Sequence, residues 1–147
     1  MKETIIYKVV STSWGKEYIS CSLGRPKEIS PGFDYHPYSI LYKINEPAIR
    51  KKGTGGIFVF NTLKDAIEFA GENILNGTWG ILKCKTRCKL KPIRFRDALR
   101  SEISIRDFWH SVKNSIINHL EFMRVPEGTF LVNSLIPIEG VTNETRI

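Results

Sequence analysis

The stretch Ile81-Leu82-Lys83-Cys84-Lys85-Thr86-Arg87-Cys88-Lys89-Leu90-Lys91 carries a cation at every odd position from Lys83 to Lys91. Between the cations stand Leu82, Cys84, Thr86, Cys88 and Leu90. Successive side chains of a strand point to opposite faces, so a period of two is the signature of extended chain. Extended, the segment has one wholly basic face and one mostly apolar face. The odd-numbered side chains are therefore expected at the surface and the even-numbered ones in the core. Pro92 is expected to end the strand, because proline has no N–H to give to a ladder.

The charge of this stretch decides how the whole chain is read. The net charge is +7, and residues 83–100 alone hold eight cations against the single acid Asp97. The remainder of the 147 residues is close to neutral. Positive charge gathered in one segment points to an anionic partner rather than to general solubility. Length suits one domain, and 41% apolar with 25% charged residues is a globular composition that argues against disorder. We read residues 1–140 as one domain and 141–147 as a polar tail. An odd cysteine count (Cys21, Cys84, Cys88) and an N-terminus without an apolar leader fit a reducing, cytoplasmic compartment. No apolar run approaches the ~18 residues of a membrane span, so no membrane partner is expected.

Working outward, Thr4–Ser11 is rich in β-branched residues and predicts a buried strand. Tyr18–Leu23 reads as its hairpin partner and residues 39–44 as a third, short strand. Residues 46–56 read as a basic, glycine-rich loop. Ile57-Phe58-Val59-Phe60 is a continuous apolar run, as in a central strand. Asn61 or Thr62, the latter with Asp65 three residues on, predicts a helix start, Leu63, Ala66, Ile67 and Ala70 its buried face, and Gly71 its end. Ser104 predicts a second, longer helix over 105–120, with Ile105, Phe108, Trp109, Val112 and Ile116 on one side. Thr129–Leu135 reads as the last strand, stopped by Pro137. The expected fold is α+β: a mostly antiparallel, twisted sheet of five to seven strands with two packed helices.

Several of these segments form a layout. Tyr7-Lys8-Val9-Val10 is followed by Gly55-Gly56-Ile57-Phe58-Val59-Phe60-Asn61-Thr62-Leu63-Lys64-Asp65-Ala66-Ile67-Glu68-Phe69-Ala70. Ile81-Leu82-Lys83-Cys84 and Val125-Pro126-Glu127-Gly128-Thr129-Phe130-Leu131-Val132 come after. This layout resembles small uncharacterised proteins of phages, archaeal viruses and some prokaryotes. The shared positions are core and turn residues. The resemblance implies a topology and a viral or mobile-element setting, hence a host cytoplasm, and no catalytic residue.

Side chains i and i+2 on a strand lie about 6.6–6.8 Å apart, comparable with successive phosphates. Lys83, Lys85, Arg87, Lys89 and Lys91 could track a nucleic-acid backbone, joined by Arg94, Arg96 and the loop cations Arg50, Lys51 and Lys52. Lysines also line edge strands to discourage strand-to-strand association. Tyr35, His36 and Tyr38 sit in a proline-rich loop and could stack a base. Cys84 and Cys88, four residues apart on a straight strand, lie roughly 13 Å apart, too far for a disulfide or a shared zinc. They read as small buried hydrophobes. No catalytic residue, metal or cofactor is assigned, because no nucleophile elbow, His-Glu-x-x-His or spaced carboxylate pair is present.

The reading that follows is a non-catalytic binding protein. Its partner is nucleic acid or a phosphorylated small molecule, and in a viral setting its task would be accessory or anti-defence. A nucleotide-using enzyme of ADP-ribosyltransferase type is an alternative by fold-level analogy. A protein–protein module for a host protein, kept soluble by its lysines, is another.

Overall fold

Thr4–Ser11 (β1) pairs along its whole length with Trp79–Thr86 (β6), from Thr4 opposite Thr86 to Ser11 opposite Trp79. This antiparallel ladder is the spine of the sheet. The computed structural model describes residues 2–12, 17–20, 39–52, 54–92 and 128–141. Along its other edge β1 meets Tyr18–Ser20 (β2) at Val10 and Ser11, and Ile57–Phe60 (β5) at Tyr7. Leu41–Tyr42 (β3) extends β2. Thr129–Val132 (β8) pairs with β5 on one side and with Lys91–Pro92 (β7) on the other. Ser134–Val141 (β9) pairs with β6 and with Ala48–Ile49 (β4). Every pairing among the described residues is antiparallel.

The order β9-β6-β1-β5-β8 returns to its own start, because only Asn133 separates β8 from β9. The sheet is a nearly closed barrel. Val132 and Leu135 both lie in the interior cluster although they are three residues apart. The strand alternation therefore breaks between them, and the chain turns a corner at Asn133 and Ser134. Sequence predicts one strand over 129–135; the two halves instead serve different neighbours. Pro137 does not stop β9. It sits buried, opposite Cys84, beside a register shift that spares the missing N–H, and its carbonyl accepts from Asn45 N–H at 2.8 Å.

The barrel interior is filled by Ile6 and Val10 of β1, Ile57 and Val59 of β5, Leu82 and Cys84 of β6, and Tyr42, Val132 and Leu135. On the outer face, Val9, Phe60 and Ile81 are covered by Ala66, Ala70 and Ile74. These come from the helices Leu63–Ala70 (α1) and Glu72–Leu75 (α2). Of the two expected cap residues, Thr62 is the one that caps: Asp65 N–H donates to Thr62 Oγ1 at 3.1 Å. Gly71 closes α1 at φ 53°. The short α2 continues the chain beyond it, and sequence periodicity misses it because four residues are barely one turn. Phe69 stacks on Trp79 with centroids 5.7 Å apart, which fastens the helical layer to the start of β6.

The fold expected from sequence is met in its class, a mostly antiparallel sheet with helices packed on it. It differs in detail, with nine strand segments among the described residues. The two-residue strands β4 and β7 and the division of 129–135 between β8 and β9 account for the excess. The expected helix over 105–120, and the expected strand Tyr18–Leu23 from residue 21 on, lie outside the described residues.

One interior position departs from apolar packing. Lys8 shares the inward parity of Ile6 and Val10 and is only 7% exposed. Its Nζ lies 5.9 Å from the centroid of the Tyr42 ring, within cation–π range. Cys84 sits close by, fully buried. Desolvation pushes its thiol up to about 12, while Lys8 works in the opposite direction. A folded pKa raised above the ordinary 9.0 means a contribution to stability that is whole below pH 9.0 and lost as the pH climbs towards 12. The urea midpoint is expected to fall across that window. In Cys84→Ala the fall should be shallower, as parallel urea titrations at stepped pH would show.

Candidate anion-binding surface

The outer face of β6 is half covered. Trp79 and Ile81 lie under the helical layer. From Lys83 onward the helices end and the cations begin. Lys83 and Lys85 have side chains 39% exposed and Arg87 73% exposed. Leu82, Cys84 and Thr86 are buried, and Cys88 and Leu90 are half-buried. The alternation read from the sequence is thus present in space.

Register supplies the neighbours. Lys83 lies between Glu139 of β9 and Tyr7 of β1, and Lys85 between Ile136 and Ile5. Thr4 faces Thr86, so Glu3 falls beside Arg87 one step further on. Three ion pairs result: Lys83 with Glu139 at 3.9 Å, Lys85 with Glu3 at 3.9 Å and Arg87 with Glu3 at 3.7 Å. All are long and solvent-exposed, and such pairs contribute about 0–1 kcal/mol. Among the described residues two carboxylates stand against five cations, so the strip keeps a positive surplus there. β6 is moreover flanked by β1 and β9 on its two edges. Its lysines do not guard an open edge of the finished sheet, which removes the edge-protection reading for the folded protein.

The strand ends at Thr86 and not at Pro92. Thr86 Oγ1 donates to Ser134 O at 2.7 Å and accepts from Cys88 N–H at 3.0 Å. A local side-chain bond of this kind competes with the ladder and bends the chain. Past the bend, Lys89 and Lys91 are exposed, and Lys91 Nζ donates to Asn133 Oδ1 at 3.3 Å. Arg50 N–H donates to Asn133 O at 2.9 Å. The corner at Asn133 therefore brings the end of the basic stretch against the Arg50–Lys52 loop, which sequence spacing could not foretell. That loop is a built turn. Arg50 Nη1 donates to Thr54 O at 2.7 Å, and Thr54 Oγ1 donates to Lys51 O at 2.7 Å. Arg50 thus braces its own loop, Lys51 is half-buried and Lys52 is exposed. Arg94, Arg96, Tyr35, His36 and Tyr38 lie outside the described residues.

Cys88 departs from the expectation of a buried hydrophobe. Its Sγ lies 3.3 Å from Ser134 Oγ. The Ser134 hydroxyl lowers its thiol pKa; desolvation opposes this, and the Thr86 hydroxyl and the backbone at Ser134 and Asn133 lower it further. A thiol reacts as its thiolate. Iodoacetamide should therefore modify Cys88 well before Cys84 in the native protein, with peptide mapping assigning each site. Equal labelling of the two would contradict this geometry. Among the described residues no group of three or more His, Cys, Asp or Glu side chains is placed to hold a metal ion. No described helix is long and apolar enough to cross a membrane.

Sequence reading missed Tyr7, Ile5 and Ile136 beside the cations and Glu3 and Glu139 against them. Periodicity assigns a face but not the strands beside it. Only Lys8 carried a signal that could have been used, its parity with Ile6 and Val10. The chain matches no protein-family model, no curated protein and no solved structure.

Proposed function

We propose that this protein binds a polyanion without catalysis, through the outer face of β6 and the corner at Asn133. The observation that carries the reading is the file of Lys83, Lys85 and Arg87, continued past the bend by Lys89 and Lys91. Loose contacts to Glu3 and Glu139 leave it positive. Such a file exchanges condensed counterions for the phosphates of its ligand, so affinity should fall steeply with salt. Titration of a fluorescent nucleic acid over a range of salt concentrations tests this. A linear log–log plot with a clearly negative slope is expected, and a flat plot would remove the reading. The resemblance to virus-encoded proteins extends it to an accessory or anti-defence task, the sequestering of a nucleic acid or nucleotide.

A further inference from the structure

The surroundings of the file narrow the kind of polyanion. The cationic row on β6 is one residue wide, and the positions beside it are not basic. On the β1 side stand Ile5, 42% exposed, and the half-buried Tyr7; on the β9 side stands the half-buried Ile136. Glu139 and Glu3 bracket the row near its two ends. A duplex would lay a second phosphate strand across these flanks, and there it would meet carboxylates and apolar side chains instead of cations. A single strand needs one file of cations at its own phosphate spacing. It also has free base faces, which favour aromatic and aliphatic surface beside that file. Tyr7 is anchored by packing against the Phe60 cluster, and a ring held in that way loses little freedom when a base stacks on it.

We infer that the ligand is a single-stranded nucleic acid, its phosphates along Lys83, Lys85 and Arg87 and its bases over Tyr7 and Ile5. This rests on the polyanion reading above and adds the recognition of bases.

The test is fluorescence anisotropy with the full chain and four probes. These are a labelled single strand of RNA and one of DNA, each of about 12 nucleotides, the DNA duplex of the same sequence, and inorganic polyphosphate as competitor. At least one single strand should bind about tenfold more tightly than the duplex and resist competition by polyphosphate of equal charge. RNA favoured over DNA, or the reverse, identifies the source. Tyr7→Leu keeps an apolar side chain against Phe60 and should abolish the preference for single strands while leaving polyphosphate binding in place. Circular dichroism would verify that this variant is folded. Equal affinity for single strand, duplex and polyphosphate would overturn the inference and leave the polyanion reading standing, as would a folded Tyr7→Leu that keeps the preference. Absence of binding to any probe would overturn both.

Discussion

Lys85→Glu combined with Arg87→Glu is expected to weaken polyanion binding by about a hundredfold or more at moderate salt. Two phosphate contacts disappear and two repulsive charges take their place in the middle of the row. The salt dependence reports the first part separately. Each lost contact lowers the log–log slope by about 0.7 for a single strand or about 0.9 for a duplex. The double variant should therefore show a slope smaller by roughly 1.4–1.8. The fold should survive, because the pairs broken with Glu3 are exposed and long and are worth about 0–1 kcal/mol. Lys64→Glu on the exposed side of α1 removes the same kind of charge away from the row and should change affinity only slightly. If Lys64→Glu and the double variant weaken binding alike, the ligand responds to net charge and the row is not its site.

Gly56→Ala is expected to cost several kcal/mol of stability. Gly56 is buried, immediately precedes β5 and has φ 152°, in a region L-residues avoid. A Cβ there would lie 3.0 Å from Val132 O, 3.1 Å from Leu131 Cβ and 3.3 Å from Val132 N. Two of these three are backbone atoms of β8, the strand paired with β5 from Ile57 opposite Val132 onward. Nothing can yield except the ladder itself. Backbone strain of about 1–3 kcal/mol and overpacking of about 1–3 kcal/mol together predict a loss of roughly 2–6 kcal/mol in urea unfolding. Gly77→Ala is the natural comparison. Its φ is 80°, yet an added Cβ would meet nothing within 4 Å. Only the conformational penalty remains there, about 1–2 kcal/mol. Equal losses in the two variants would show that close approach to β8 is not what Gly56 serves.

The contrast between these glycines shows what a sequence conveys. Gly77, in Asn-Gly-Thr after a helix, announces a turn by its neighbours alone. Gly56 reads as part of a mobile glycine-rich loop, and its reason for being glycine is a strand far along the chain. The same division runs through the candidate site. Period-two alternation makes the basic face of Lys83, Lys85 and Arg87 legible, because parity is a local property. The apolar spacing of Leu63, Ala66, Ile67 and Ala70 makes α1 legible in the same way. Which strands lie beside β6 is a matter of long-range register, so Tyr7, Ile5, Glu3 and Glu139 stayed hidden. The bend after Thr86 also stayed hidden, because it depends on a carbonyl at Ser134. The corner at Asn133 is hardest to foresee, since 129–135 has the composition of one uninterrupted strand.

That corner also governs the order in which the barrel can be assembled. β1, β5 and β6 can pair as soon as residue 86 is available, whereas β8 and β9 lie beyond residue 128. Until the chain has been made that far, one edge of β5 and one edge of β6 stand open. At synthesis rates of about 5–20 residues per second the interval is on the order of seconds, long beside the ~1–10 μs of hairpin formation. An open, apolar strand edge invites pairing with other chains, and alternating lysines are the ordinary deterrent. On the ribosome β6 is an edge strand, although in the completed barrel it is not. Lys83 and Lys85 give that strand the alternating cations that discourage strand-to-strand pairing before β9 is in place.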